Sequence, residues 1–225
     1  LKKAKGESFS QDETDFVKGK RVIATVGRLI PQKGQWHLIR AFSEVIKKVP
    51  DAVLMLIGSG ELEDDLKKLA ADNRLGLAGH IMFTGYSDNP HKYVAKADVF
   101  VMPSLYEGFP NALAEAVCLG IPCIATDFKT GAREILAPDL VDSADQVTAF
   151  SKEQYGMLTP VCSGTQYQSG QDKLEAAELE LAKAIVFMLQ NEKERLHYAE
   201  MSRQRREALG IESVVHRYEE IICND

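Results

Sequence analysis

Two short segments concentrate the side chains in this chain that could do chemistry. The first is Gly27-Arg28-Leu29-Ile30-Pro31-Gln32-Lys33-Gly34. It follows an apolar run and precedes a helical pattern, so a strand end, two cations and a helix N-terminus converge there. Such a place suits an anion, and Arg28 and Lys33, five residues apart, suit a diphosphate better than a single carboxylate. The loop is neither a dinucleotide fingerprint nor a Walker loop, because G-x-G-x-x-G and G-x-x-x-x-G-K-[ST] are both absent. The second segment is Ser104-Leu105-Tyr106-Glu107-Gly108-Phe109-Pro110-Asn111-Ala112-Leu113-Ala114-Glu115-Ala116. Gly108 and Pro110 place Glu107 in a loop, with Pro110 near a first helical turn. Glu115 then falls in an otherwise apolar helical run, where a carboxylate is costly unless paired or hydrogen-bonded. Two vicinal hydroxyls would be good partners for it. Amides around Phe109 and Asn111, at a helix N-terminus, could cradle a phosphate.

The elements that must position these groups are legible as a strand–helix alternation. Residues 21–26, 52–57, 80–84, 98–102 and 121–126 read as short, continuously apolar strands, most of them stopped by Gly or Pro. Helical spacing fills 35–49, 61–75, 89–97 and 110–119 between them. Continuous apolar strands imply a sheet covered on both faces, hence an α/β fold with a parallel, Rossmann-like sheet. Ligands on such sheets bind at the carboxyl ends of the strands, which selects the loops 27–34, 58–61, 85–89 and 103–110. Residues 1–20 are polar, lack periodicity and read as a linker or lead-in. Residues 127–172 read as loop-rich, with a short strand at 155–159 and an exposed loop from Cys162 to Gln171. Extra C-terminal helices are expected over 173–190, 192–209 and 211–222.

Composition narrows the class. The chain has 225 residues, 45% hydrophobic and 27% charged, which is ordinary for one large globular domain. Its net charge of −6 argues against non-specific nucleic-acid or anionic-membrane binding. No apolar run reaches the ~20 residues of a membrane-spanning helix, and no signal peptide is expected at the N-terminus. The start lacks Met, so a fragment of a longer protein is expected. Cys118, Cys123, Cys162 and Cys223 have no metal or redox spacing; Cys118 and Cys123 sit in apolar surroundings, and the reading is buried free thiols in a reducing compartment. His37, His91 and His197 fall on polar helical patterns and read as surface. Asp64 and Asp65 sit on a charged helix and also read as surface, so no metal site is expected.

In combination these residues resemble the C-terminal, nucleotide-sugar-binding half of a retaining GT-B glycosyltransferase of glycosyltransferase family 4 (glycosyl transferases group 1). The resemblance spans about 21–222. It is carried by Val26-Gly27-Arg28 with Lys33-Gly34, by Gly58-Ser59-Gly60 and by Phe83-Thr84-Gly85-Tyr86. The rest is Ala97 to Ser104 running into Glu107-Gly108-Phe109-Pro110-Asn111, then Glu115-Ala116 and Gly120-Ile121-Pro122. The two glutamates with seven residues between them are the family's signature.

The resemblance implies a role for each residue. Arg28 and Lys33 would hold the donor diphosphate and stabilise charge on the departing nucleoside diphosphate. Glu115 would accept hydrogen bonds from the ribose hydroxyls, and Glu107 would lie near hydroxyls of the transferred sugar. Gly108 and the amides of Phe109, Asn111 and Ala112 would contact phosphate or sugar, while Tyr86 and Ser87 would border the base. Gly131 and Glu134 match a downstream family element read as structural. Pro110 often corresponds to Gly in the family and removes one amide donor; the 136–172 insert is longer than the family form.

The resemblance further implies that residues 21–225 form the donor domain and that an acceptor domain precedes residues 1–20. The implied substrate is a nucleoside-diphosphate sugar, a UDP-sugar over a GDP-sugar, with no cofactor and no metal. Transfer with retention to a glycan or lipid-linked acceptor is implied, in cell-surface or capsular polysaccharide synthesis. So is a cytoplasmic location, with peripheral association of the full-length protein at the inner membrane face. Two other readings stand beside it: a nucleotide-sugar epimerase on the same architecture, and a non-catalytic nucleotide-sugar-binding module.

Overall fold

A computed structural model describes residues 8–128, 130–167 and 169–209. Among these, seven strands form one sheet: β1 (Arg21–Val26), β2 (Ala52–Ile57), β3 (Ile81–Gly85), β4 (Val99–Met102), β5 (Cys123–Thr126), β6 (Ser151–Lys152) and β7 (Met157–Thr159). Their spatial order is β3-β2-β1-β4-β5-β7-β6, all parallel except β6, which runs antiparallel to β7. The order reverses direction at β1/β4, the switch point at which open α/β sheets bind ligands.

Eight α-helices accompany the sheet among the described residues: α1 (Gln11–Val17), α2 (Gln35–Lys48), α3 (Glu63–Ala70), α4 (His91–Val94), α5 (Asn111–Cys118), α6 (Ala132–Leu136), α7 (Ala176–Gln190) and α8 (Glu192–Leu209). Side chains alternate across the sheet. Ile23, Leu54, Leu56, Val99, Val101 and Ile124 face α2, α3 and α7, where Trp36, Leu38, Phe42, Leu66, Leu181 and Met188 meet them. Phe100, Met102, Cys123 and Ala125 face α5 and α6, and Val22, Ala24, Val53 and Met55 face α4 and the apolar side of α1. Burying each large apolar side chain contributes roughly 1.5–3 kcal/mol. The exposed ion pairs of α3, Glu63–Lys67 and Asp65–Lys68, contribute about 0.3–0.5 kcal/mol each, so the two-faced core dominates.

Two glycines are dictated by backbone rather than by chance. Gly34 sits at φ +60° where the loop after β1 turns into α2, and a Cβ there would come 2.4 Å from the Pro103 carbonyl oxygen. Gly58 sits at φ +137°, and its Cβ would come 2.1 Å from the Gly27 carbonyl oxygen. Both close contacts join the loops at the carboxyl edge of the sheet, so only glycine lets those loops touch.

Several expectations need correction. The polar stretch before β1 contains α1, capped by Ser10, whose hydroxyl accepts from the Glu13 N–H while Glu13 accepts from the Ser10 N–H at 2.7 Å. Seven residues are too few to show periodicity, yet Ser10-x-x-Glu13 is a readable capping box; residues 1–7 lie outside the described residues. The region 127–172 holds α6, β6 and β7 as well as loop, and only β7 was legible. β6 is two residues long and its pairing is tertiary. Helices α3 and α4 are shorter than their patterns, because Gly, Asn and Pro flank them. Cys162 is buried, not exposed, and Cys118 is half-buried. His37 is fully buried rather than on the surface. The 211–222 helix and Cys223 lie outside the described residues.

Candidate functional site

The carboxyl ends of β1, β2 and β3 open into a cleft of about 400 Å³. Val26, Gly27, Arg28, Ile57, Gly58, Ser59, Tyr86, Ser87 and Pro90 line it. Three residues chosen from the sequence, Arg28, Tyr86 and Ser87, therefore share one wall system. Arg28 and Tyr86 are exposed, and the Tyr86 phenol is pushed above its ordinary value by a hydrogen bond to Asp88. The loops are tied into one frame by backbone bonds. Gly27 N–H donates to Ile57 O at 3.0 Å, and Leu29 N–H to Ser59 O at 3.0 Å. Gln35, buried at the start of α2, donates to Arg28 O at 2.9 Å.

Lys33 takes a second position. Its stem runs past Gly27, a cleft residue, and its Nζ lies 2.6 and 2.8 Å from the two carboxylate oxygens of Glu107. The Glu107 side chain is 5% exposed, so its charge needs the partners it has. Gln32 Nε2 donates to it at 3.2 Å and Ser104 Oγ at 2.7 Å. The backbone closes the same junction: Leu105 N–H donates to Gln32 O and Gln32 Nε2 to Tyr106 O, both at 2.9 Å. Thr130 Oγ1 donates to Glu107 O. The two chemistry-bearing segments, seventy-odd residues apart in sequence, thus meet through one lysine–glutamate pair. Gln32 and Ser104 were missed as site residues. The only signal for them was their adjacency to Lys33 and to the strand end at Pro103.

Glu115 behaves differently from expectation. It is exposed on α5, with its side chain 48% accessible, and pairs with His91 Nε2 at 3.2 Å. The apolar run around it buries Leu113, Ala116 and Val117, and the helical period turns Glu115 to the opposite side. His91, read as an uninvolved surface group, is its partner and directly follows Pro90 of the cleft. At the start of α5, no side chain caps the helix; Asn111 N–H donates to Phe109 O at 3.0 Å. Ala112 is half-buried, Gly108 exposed and Phe109 57% exposed. Gly131 and Glu134 do act structurally. The Glu134 carboxylate accepts from Gly131 N–H at 2.5 Å, and a Cβ on Gly131 would strike the Pro110 ring at 2.1 Å.

Fold and site together define a Rossmann-like domain of the GT-B kind, and comparisons agree. The solved structure of HepE from Anabaena in complex with UDP superposes with a TM-score of 0.70 at 20% identity, over 97% of this chain and 54% of that one. The glycosyl transferases group 1 profile matches residues 7–152. An uncharacterized glycosyltransferase of Methanocaldococcus jannaschii is 35% identical over 99% of this chain and 54% of its own length. A Campylobacter jejuni enzyme, N-acetylgalactosamine-N,N'-diacetylbacillosaminyl-diphospho-undecaprenol 4-alpha-N-acetylgalactosaminyltransferase, is 37% identical over 53% of this chain and 31% of its own length. The chain belongs to the glycosyl transferases group 1 family. It spans about half the length of the first of these relatives and under a third of the second. Among the described residues, no helix is long and apolar enough to cross a membrane.

Proposed function

We propose that this chain is the donor-binding domain of a family 4 glycosyltransferase, which moves a sugar with retention from a nucleoside-diphosphate sugar to a glycan or lipid-linked acceptor. The observation that carries the reading is the Lys33–Glu107 pair set beside the Arg28 cleft. Cleaving a nucleotide sugar leaves negative charge on a phosphate oxygen. Arg28, exposed in the cleft, and Lys33, held by Glu107, put two cations at a strand's carboxyl end, and charge in that place would stabilise such a leaving group. Glu107 accepts from Lys33, Gln32 and Ser104, so it would bind a sugar hydroxyl by exchanging one of these donors for it. Tyr86 and Ser87 border the base. Glu115 is exposed and paired with His91, and would exchange that partner for ribose hydroxyls.

A UDP-sugar is the favoured donor, supported by the fold likeness to a structure in complex with UDP. A lipid-linked acceptor is supported by the name of the Campylobacter relative. The acceptor would be held by a further domain, and the longer protein would act in surface-polysaccharide synthesis at the cytoplasmic membrane face.

Calorimetric titration with UDP, GDP and ADP tests the reading. Each charge-assisted contact should contribute about 1.5–3 kcal/mol. The Arg28→Ala/Lys33→Ala variant should therefore bind on the order of a hundredfold or more weaker. Binding of a nucleotide that this variant leaves unchanged would remove the diphosphate assignment. Epimerised nucleotide sugar formed without acceptor would favour the epimerase reading, and binding of no nucleotide the non-catalytic one.

A further inference from the structure

Away from the cleft, three side chains from distant parts of the chain meet beside α2. His37 comes from the first turn of α2, Cys162 from the connection after β7, and Glu175 from the residue before α7. One ligand atom from each lies within 4.8 Å of the other two. His37 and Cys162 are buried and Glu175 is half-buried.

The imidazole is the informative member. His37 is 0% exposed, its Nδ1 lies 2.8 Å from Glu178 Oε1, and its Nε2 has no hydrogen-bond partner. A buried polar atom left without a partner costs about 1–3 kcal/mol, so such an atom calls for an occupant. An imidazole held by a carboxylate on one nitrogen has its other nitrogen fixed in tautomer and direction, which is how proteins orient metal-binding histidines.

We propose that His37 Nε2, Cys162 Sγ and a Glu175 carboxylate oxygen bind a divalent transition-metal ion, zinc by the chemistry of the set. One nitrogen, one sulfur and one oxygen ligand suit zinc better than magnesium or calcium, which take oxygen alone. Tetrahedral bonds of ~2.0–2.3 Å set ligand atoms roughly 3.4–3.7 Å apart; with the imidazole held by Glu178, binding would draw Cys162 and Glu175 inward, and Glu175 would share a carboxylate that now accepts from Ser163 N–H at 2.9 Å and from Ser163 Oγ. Water fills the fourth position. On binding, the Cys162 thiol gives its proton to solvent and its sulfur becomes the metal–thiolate bond. The thiolate and the Glu175 carboxylate then balance the dication. The charge of Glu178 is balanced separately by Arg40, whose Nε donates to it at 2.8 Å.

The ion has a structural job. It joins the 160–175 connection to α2, where Trp36 Nε1 already donates to Thr165 O at 2.8 Å and Arg40 to Lys173 O at 2.8 Å. The insert that reads as an exposed loop in the sequence is thereby clamped to the helix that begins at the Lys33-Gly34 turn.

Cobalt(II), added to the chain after dialysis against chelator, is the direct probe. A thiolate-to-cobalt band in the near ultraviolet, with strong visible bands of tetrahedral coordination, is expected to saturate stoichiometrically. Zinc should displace it. Cys162→Ser should remove the charge-transfer band, and Glu175→Gln, at a half-buried position, should weaken cobalt binding at least tenfold. Metal analysis of chain purified without chelator should find stoichiometric zinc. A folded chain that shows no thiolate–cobalt band overturns the proposal, as does a band that persists in folded Cys162→Ser.

Discussion

A single lysine does two things at this site. Lys33 Nζ neutralises a nearly buried Glu107 while its stem borders the cleft. Removing one partner of such a pair leaves the other charge desolvated, and this costs more than the pair contributes. Lys33→Ala and Glu107→Ala should therefore each lower stability, by about 1.5–3 kcal/mol for Lys33→Ala. The double variant should cost less than the sum by about 1 kcal/mol or more, which urea denaturation in a double-mutant cycle would read. Strict additivity would mean the two residues do not share the pair. Glu115 gives no such coupling to Lys33; its pair is with the half-exposed His91, and a screened surface pair contributes at most about 1 kcal/mol.

At the level of elements, the connection between β7 and α7 is held by polar contacts as well as by packing. Arg40 of α2 donates to Glu178 of α7, and both side chains are fully buried. Asp72, in the turn after α3, accepts from Arg74 Nε at 2.8 Å and from Gly170 N–H at 2.8 Å. The Arg74 guanidinium first, then the Gly170 and Arg74 amides, hold its carboxyl well below the usual carboxylate range. A depressed carboxylate stabilises the fold above its unfolded value of ~3.9 and loses that contribution as pH falls below it. Asp72→Asn should thus be less stable than the parent at neutral pH, with the gap narrowing as pH falls below ~4. Urea midpoints across that range check it, and a gap independent of pH would assign the loss to something other than the charge.

For the whole molecule, positioning is the issue. Transfer between two bound reactants needs both held in a closed cleft. This chain carries the cleft with Arg28 and the Lys33–Glu107 pair, and it spans about half of its Methanocaldococcus relative. We expect the 225-residue chain to bind donor nucleotide but to transfer sugar far more slowly than a longer protein that adds an acceptor domain. Radiolabelled donor with a lipid-linked acceptor would measure this. Rapid transfer by these residues alone would place the acceptor site within them.

The part of this protein legible from its residues in order is local and periodic. Apolar runs set five of the seven strands near their observed positions, and β7 was legible as a short run within a loop-rich stretch. Helical spacing found α2, α5, α7 and α8, and the glycine- and proline-bounded loops pointed to the cleft edge, because chain-local sterics act on neighbouring residues. Partnerships across distance came from the packed chain alone. Packing paired Lys33 with Glu107, turned Glu115 outward to His91, buried His37 against Glu178 and Arg40, and drew Cys162 inside. No short window of sequence contains both partners of these contacts. Desolvation, which makes each side chain need its partner, exists only once the layers have packed.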